Sequence, residues 1–533
     1  MVSNQMGVAS WPTPAGARAP LAEVAAREWM WVVFLCAAQV LLWSLAFGAT
    51  YKAPEIDSAE QFVWSFSLEN GYWKHPPLPS WIMHGLILAF GTSVALPFVA
   101  TQTSIVIAMA LTWRLGCEFM STQRSLVAML LTSLVTYHNI GGDCFNHNTA
   151  LLPFQAAMLL AFYRATRHCM WHQWALAGLF AGLAMLVKYV AVWPIVGMLA
   201  YFALDRKLHT RRHFVGLLIA SSIFLITMLP HVLWLHRSDF LPFHYARSVA
   251  QSLPGLPQTM AGLASFLFMQ ALRLVPFALG AWFVLRKPAG HEAPAPLACS
   301  LPDGRDRLFL WTSAISPLLL TIVTSLVSET EMQSRWGANA FLLSGWVVMA
   351  STRQINEWAV MQRALRFAGF AHLLLCLTLT LSKTMLAEQL KVRTRANFPG
   401  AVLARNAHLT WKSYSDVPLR IVVSNIWIGG NIVANSKDRL AVLIDGHHIK
   451  SPWVRESAVN DCGALVLDDQ TADAAVHDQA GAALDKLMSR ANFTGTWELP
   501  WAGKNVEGRS GFSGQVRWGV ILPTNPAGCN LQW

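Results

Sequence analysis

The sequence predicts a mainly α-helical, polytopic membrane protein with about eleven transmembrane helices and a C-terminal α/β domain outside the membrane. Hydrophobic residues make up 54% of the 533 residues and charged residues only 13%, about half the charge of an average soluble protein. The 24 tryptophans point the same way, because aromatic side chains gather at membrane–water interfaces. This composition excludes a disordered or fibrous chain and argues against a purely soluble enzyme.

The transmembrane helices follow from the length of the apolar runs, since a span needs about 20 predominantly apolar residues. The first run has no small-residue cleavage site, so we expect a signal anchor rather than a cleaved signal peptide. The predicted spans are 29–49, 95–113, 125–140, 149–163, 173–187, 190–204, 214–235, 260–285, 308–328, 336–351 and 366–386.

The distribution of lysine and arginine between the loops predicts the orientation. Alternate loops are rich in cations, such as the loop around 206–212, and the loops between them carry few. The positive-inside rule places the rich loops in the cytoplasm, which leaves everything after Lys383 outside. The expected parts are a cytoplasmic tail 1–28, a transmembrane module 29–390 with a large first outer loop 50–95, and an outer domain 391–533. Because the net charge of +11 is spread over loops, no nucleic-acid partner is predicted.

The outer domain is predicted from a change in periodicity after the last span. Cys462 and Cys529 are available there for a disulfide, since an outer compartment is oxidising. Gly429 and Gly430 follow a strand and predict a turn or, alternatively, a backbone cradle for a ligand. The predicted strands lie at 419–423, 440–444, 463–467 and 516–522, with a helix at about 472–490.

The residues that say most about the chemistry follow the first span, where Asp57 and Glu60 are three residues apart. A helical turn places both carboxylates on one face. A partly desolvated carboxylate at the membrane surface can accept a proton from a hydroxyl group, which makes both residues candidate catalytic groups. The alternative is a capping box, with Asp57 as the N-cap and Glu60 completing it. The spacing alone leaves both interpretations open.

Together with these acids, three further segments resemble a known family. The Asp-x-Ala-Glu turn, the run Gly-Tyr-x-x-His-Pro-Pro-Leu at 71–78 and the multi-span plan look like polyprenyl-phosphate-dependent glycosyltransferases of the GT-C fold, family 39-like. The most similar groups are the protein O-mannosyltransferases and the lipid A aminoarabinose transferase. Segments 145–152 and 182–189 also resemble the family pattern. Relatives often carry Asp where this chain has Asn148, and Asp143 is near enough to substitute for it.

The resemblance assigns roles by position. Asp57 matches the acidic residue that serves as the catalytic base or positions the acceptor, and Glu60 matches the second acidic position. Cations facing outward are candidate ligands for the donor phosphate, although each is equally consistent with anchoring at the membrane interface. These candidates are Lys74, Lys188, Arg247 and Arg335. Residues expected to shape the loops or contact substrate are Tyr72, His75, Asn146, Asn148, Tyr189 and Tyr245.

No cofactor is predicted, and a divalent metal held by His138, Asp143, Cys144 and His147 is a weak alternative because their spacing is irregular. The resemblance implies an inverting enzyme of the bacterial inner membrane, with its N-terminus cytoplasmic and its C-terminal domain periplasmic. Its expected partners are a polyprenyl-phosphate-linked sugar donor, a glycolipid acceptor such as lipid A or the lipopolysaccharide core, and membrane lipid. The competing functions are a transporter or lipid flippase, which predicts charges near the bilayer midplane and repeated halves, and a non-enzymatic assembly subunit.

Overall fold

A computed structural model describes residues 19–249, 255–286, 302–352, 356–390, 392–469, 474–501, 504–505 and 514–531. The part before residue 390 is helical. Its α-helices are α1 Ala19–Thr50, α2 Ile56–Trp64, α3 Leu78–Phe90, α4 Leu96–Gly116, α5 Thr122–Ser133, α6 His147–His168, α7 Trp171–Val187, α8 Val192–Leu204, α9 Arg211–Arg237, α10 Leu241–Val249, α11 Leu256–Leu285, α12 Gly304–Ser328, α13 Ser344–Ser351, α14 Glu357–Leu381 and α15 Ala387–Gln389.

Six helices among the described residues are long and apolar enough to cross a membrane, so the predicted multi-pass membrane protein is confirmed. They are Trp29–Thr50, Leu96–Gly116, Arg211–Arg237, Leu256–Leu285, Gly304–Ser328 and Glu357–Leu386. Two of the other predicted spans are divided. The run 125–140 is α5 followed by a 3₁₀ turn at Thr136–His138, and the run 336–351 is a 3₁₀ segment, Ser334–Phe341, followed by α13. The count of about eleven therefore stays a prediction.

The C-terminal part of the chain folds around a five-stranded sheet. The strands are β1 Val392–Arg393, β2 Ile421–Ser424, β3 Ala441–Ile444, β4 Ala464–Asp469, β5 Phe493–Glu498, β6 Lys504–Asn505 and β7 Gln515–Ile521, and the helices are α16 Gly400–Tyr414, α17 Ile426–Ala434, α18 Ala458–Cys462 and α19 Ala474–Met488. The strand order is β3-β2-β4-β7-β5; β3, β2 and β4 are parallel to one another, and β7 is antiparallel to both β4 and β5. All four predicted strands and the predicted helix are present, and Cys462 and Cys529 form a disulfide.

Helix α17 joins the C-terminal part to the segment 50–95 by packing on α2. The turn and the ligand cradle predicted at Gly429 and Gly430 are both wrong, because these residues lie inside α17. A methyl group on Gly430 would lie 2.5 Å from the carbonyl oxygen of Ala59 in α2. The glycine therefore allows two helix backbones to approach closely, and this contact sets the position of α2.

Two further contacts fix the same interface. The Arg439 guanidinium donates a hydrogen bond to the carbonyl oxygen of Phe66 at 2.6 Å. The Lys450 ammonium, from the loop after β3, lies 4.9 Å from the ring centre of Trp73. The apolar core is continuous across the contact, since buried residues of the segment 50–95 and of the sheet belong to one cluster. The C-terminal part thus covers the loop that carries both predicted catalytic acids.

Candidate active site

Asp57 lies in the first turn of α2 and its carboxylate is partly open to solvent. The helix begins at Ile56 with Glu55 as its N-cap residue, and Glu55 makes no side-chain capping bond. The capping box predicted as an alternative is therefore wrong, and the Asp57 side chain is available for other contacts. Its Oδ2 accepts a hydrogen bond from the Asn146 amide at 3.0 Å and lies 3.8 Å from an Arg335 nitrogen. The side chain is 39% exposed.

Asn146 holds this carboxylate from a fixed point, the start of α6. It is the N-cap residue of α6, and its Oδ1 accepts hydrogen bonds from the backbone N–H groups of Asn148 and Thr149. The amide oxygen is therefore committed to the cap and the amide nitrogen to Asp57. Because the helix start orients the whole side chain, Asn146 is a positioning residue for Asp57.

Glu60, one turn further along α2, is held in a closed ion pair with Lys74. The Lys74 Nζ lies 2.7 Å from Glu60 Oε1, and both side chains are largely buried. Burial raises the pKa of Glu60, and the Lys74 charge opposes this rise. Burial alone would lower the pKa of Lys74, but the Glu60 carboxylate raises it. Lys74 is thus engaged by Glu60 instead of being a free cation.

Lys188 approaches the Asp57 region from the end of α7. Its Nζ donates a hydrogen bond to Oδ1 of Asn148 at 2.5 Å. Burial lowers the pKa of Lys188 to about 8, and the neighbouring Asp57 charge limits that decrease. Within the described part of the chain Lys188 makes no ion pair at contact distance, so it can receive an anionic ligand.

A polar cavity of about 140 Å³ lies beside Asp57 and brings several of these residues together. Asn146 and Asn148, predicted to shape the loops or contact substrate, line it together with Arg335, a predicted phosphate ligand. Asp143 also lines it and accepts a hydrogen bond from the Tyr51 hydroxyl at 2.8 Å. The remaining polar lining residue of note is Arg273, which the sequence analysis missed. Its signal was a single arginine inside the apolar run 260–285.

The aromatic and histidine candidates occupy supporting positions. The Tyr72 hydroxyl is buried and donates to backbone oxygens of Trp64 and Ser67. The His75 ring lies 4.1 Å from that of His147, and burial, His147 and nearby lysines hold the pKa of His75 well below its usual value. These contacts shape the loop.

Three further candidates lie around α9 and α10. Tyr189 bonds to His231 and stacks on Phe243, while Tyr245 meets the edge of Trp73 and lies 5.3 Å from the Lys74 ammonium. Arg247 is exposed on α10.

The four residues considered for a metal do not come together. Among the residues that the structure describes, no group of three histidine, cysteine or acidic side chains has the arrangement of a metal site. His138 bonds through its ring to the carbonyl oxygen of Thr132, and Asp143 bonds to Tyr51. The site that the fold does assemble is a carboxylate beside cations, which suits proton transfer next to an anionic group.

Comparisons with known proteins support the class that the sequence predicted: a membrane glycosyltransferase of the GT-C fold. The family described as dolichyl-phosphate-mannose-protein mannosyltransferase matches residues 74–234. The chain is 24% identical over 416 residues to the lipopolysaccharide core galacturonosyltransferase RgtA of Rhizobium johnstonii, covering 73% of this chain and 77% of that protein. It is 22% identical to the lipid A galacturonosyltransferase RgtD of the same organism, over 55% of this chain and 60% of that one.

Two solved structures share the fold. ArnT from Cupriavidus metallidurans bound to undecaprenyl phosphate superposes with a TM-score of 0.58 at 10% identity, over 93% of this chain and 98% of ArnT. The apo state of the same protein gives a TM-score of 0.57 at 12% identity, over 82% and 92% of the two chains. The family match and the two galacturonosyltransferase relatives favour a transferase over the transporter considered from the sequence.

Proposed function

We propose that this protein transfers a sugar from a polyprenyl-phosphate donor to a glycolipid on the outer face of the bacterial inner membrane. Two galacturonosyltransferases that modify the lipopolysaccharide core and lipid A support the choice of acceptor. The undecaprenyl phosphate bound by ArnT supports the choice of donor. The observation that carries the proposal is the half-exposed Asp57 carboxylate, held by Asn146 and Arg335 at the edge of a polar cavity.

Asp57 acts as the general base in this mechanism. Both contacts that the described residues make with the carboxylate go to Oδ2, so Oδ1 is the oxygen that accepts the proton of the acceptor hydroxyl. The acceptor oxygen then bonds to the anomeric carbon while the bond from that carbon to the phosphate oxygen breaks. In-line attack inverts the configuration at this carbon, and the lipid phosphate leaves with the bonding electrons.

The departing phosphate needs a cation in a site of low dielectric. Lys188 fits this role, because it is buried, retains a positive charge below pH 8 or so and donates to the neutral side chain of Asn148. Lys74 contributes through the closed pair with Glu60, which keeps the loop carrying Trp73 in place beside Tyr245. Arg247, exposed on α10, is a further cation available to the lipid phosphate.

The proposal includes the orientation in the membrane. The tail 1–28 lies in the cytoplasm, the module 29–390 spans the membrane about eleven times, and the domain 391–533 lies in the periplasm. The contact of α17 with α2 supports this arrangement, since the C-terminal part and the Asp57 loop must then lie on the same side. The cation-rich loops supply the second argument.

The direct test uses the purified full-length protein in liposomes with undecaprenyl-phosphate-linked sugars and lipid A or lipopolysaccharide core. We expect mass spectrometry to find the acceptor heavier by one sugar, with an equal amount of undecaprenyl phosphate released. Nuclear magnetic resonance of the product is expected to show inverted configuration at the anomeric carbon. Movement of the lipid between leaflets without any transfer would overturn the proposal in favour of a flippase.

A further inference from the structure

Arg273 is a charged residue in an apolar helix, and no described acidic side chain pairs with it. It lies in α11, one of the six helices able to span a membrane. An ionised side chain in such a segment is costly and marks a functional site by default. Within the described part of the chain no ion pair includes Arg273, and its Nε is buried without a hydrogen-bond partner. The residue therefore has binding capacity that the protein itself does not use.

Tyr137 ties Arg273 to Arg335. The Arg273 guanidinium lies 4.5 Å from the centre of the Tyr137 ring. The Tyr137 hydroxyl donates to Gln270 at 2.8 Å and also bonds to the carbonyl oxygen of Ser334, the residue before Arg335. Gln270 donates to the same carbonyl oxygen at 3.1 Å. The tyrosine thus anchors both arginines on the wall of one cavity.

The charges around this cavity favour an anionic ligand. Its lining contains two arginines, Arg273 and Arg335, and one acid, Asp143, which accepts a hydrogen bond from Tyr51. Arg335 also faces Asp57 at 3.8 Å, so its charge is partly compensated. Arg273 stays uncompensated, and a guanidinium group matches a carboxylate through two parallel hydrogen bonds.

The size of the cavity limits what it holds. Its volume of about 140 Å³ is below the roughly 300–1,000 Å³ of sites for drug-sized ligands, so it suits one monosaccharide rather than an oligosaccharide acceptor. The two galacturonosyltransferase relatives have different acceptors, and the sugar is what their names share. The small cavity therefore corresponds to the transferred sugar.

We infer that Arg273, with Arg335, binds the carboxylate of a transferred hexuronic acid and so selects a uronic acid donor over its neutral counterpart. The inference rests on the proposed function and names the substrate class of that site. The lipid phosphate is the other anion available, but Arg335 is on the side of the base, next to Asp57. In-line displacement requires the phosphate to leave on the opposite side of the anomeric carbon.

The test compares undecaprenyl phosphate galacturonic acid with undecaprenyl phosphate galactose as donors for the full-length enzyme in liposomes. We expect the wild type to prefer the uronic acid donor, and Arg273→Met to lower its kcat/KM about 100-fold while leaving galactose transfer nearly unchanged. The matched control is Arg286→Met, which removes an arginine at the end of α11 that packs over Trp282 and Phe283. This control is expected to leave both donors unaffected.

The other possible results of these transfer assays either overturn the inference or overturn the proposed function. Equal use of both donors by the wild type, or an equal loss for both donors in Arg273→Met, overturns the inference, and the second result assigns the arginine to the phosphate. No transfer from either donor by the wild type overturns the proposed function instead. If Arg273→Met does not fold, Arg273→Lys keeps the charge without the paired hydrogen bonds and is expected to reduce the uronic acid preference while leaving galactose transfer nearly unchanged; an equal loss for both donors in the folded lysine variant overturns the inference.

Discussion

Helix α2 carries two carboxylates, Asp57 and Glu60, that face two neighbouring regions. The two regions differ in how tightly they pair a carboxylate with a cation. Around Asp57 the contacts are few, one oxygen is free and the nearest arginine is 3.8 Å away. Around Glu60 the carboxylate is buried and a lysine lies 2.7 Å from it. A loosely held, partly exposed acid can exchange protons with a substrate, whereas a buried and paired acid stabilises the loop. The two acids of one motif therefore have different tasks.

Asp57→Asn gives the sharpest test of this division. Loss of the general base is expected to lower glycosyl transfer about 1,000-fold, measured with a lipid-linked donor, and to leave the thermal unfolding temperature almost unchanged because the side chain is partly exposed. Asp416→Asn makes the same chemical change at an exposed aspartate in the C-terminal part and should keep full activity. Wild-type transfer by Asp57→Asn would remove the proposed base.

Glu60→Gln probes the second region through stability. It leaves the Lys74 charge buried and unpaired, which is expected to cost about 3 kcal/mol of unfolding free energy, measured by denaturation in detergent. The double variant Glu60→Gln with Lys74→Met should recover part of that loss, since neither charge is then left alone. A Glu60→Gln protein of normal stability that has lost transfer would show that both acids act in the chemistry.

Asn146→Asp sharpens the comparison by altering how Asp57 is held. The aspartate can still cap α6 but places a second negative charge about 3 Å from Asp57. We expect kcat to fall about tenfold with little change in KM, and the acidic limb of the pH–rate profile to move to higher pH, since a like charge disfavours the ionised base. A lower stability with an unshifted pH profile would indicate a purely structural role.

The smallest expected effect is a pH dependence of donor binding that comes from Lys188. Because its pKa is lowered to about 8, the ammonium is charged below that pH and only about one molecule in ten carries the charge one pH unit above it. The KM for the lipid-linked donor is therefore expected to rise between pH 7 and 9. Lys188→Arg should remove this rise, because arginine stays protonated. The same rise in the arginine variant would exclude Lys188 as its source.

Local patterns were sufficient for much of the fold. The strands near 421, 441, 464 and 515 contain continuous or alternating apolar residues, and all were predicted. Strand β5 was missed, because its residues Phe493 to Glu498 are mostly exposed at the sheet edge and no buried pattern marks them. Helix α17 was missed because two adjacent glycines disfavour a helix. Packing against α2 overrides that preference, and no local pattern reports such a contact.

In the site, too, some residues could be identified from local sequence patterns and others only from the tertiary structure. Asp57, Asn146, Asn148, Lys188 and Arg335 were identified from motif and position, and the structure brings them to one region. That Lys74 is paired with Glu60 was not predicted, because 14 residues separate them. Arg273 lies far from the motifs in sequence, and only the tertiary structure places it beside Tyr137.

The glycine contact between α17 and α2 has a consequence for protein engineering. With Gly430 directly against the Ala59 backbone, the C-terminal part is not an independent module that can be exchanged for that of a relative. A chimaera that imports a bulkier residue at this position would displace the turn of α2 that bears Asp57, even with every active-site residue intact. Recombinants should therefore swap Ile56–Trp64 and Ile426–Ala434 as a matched set.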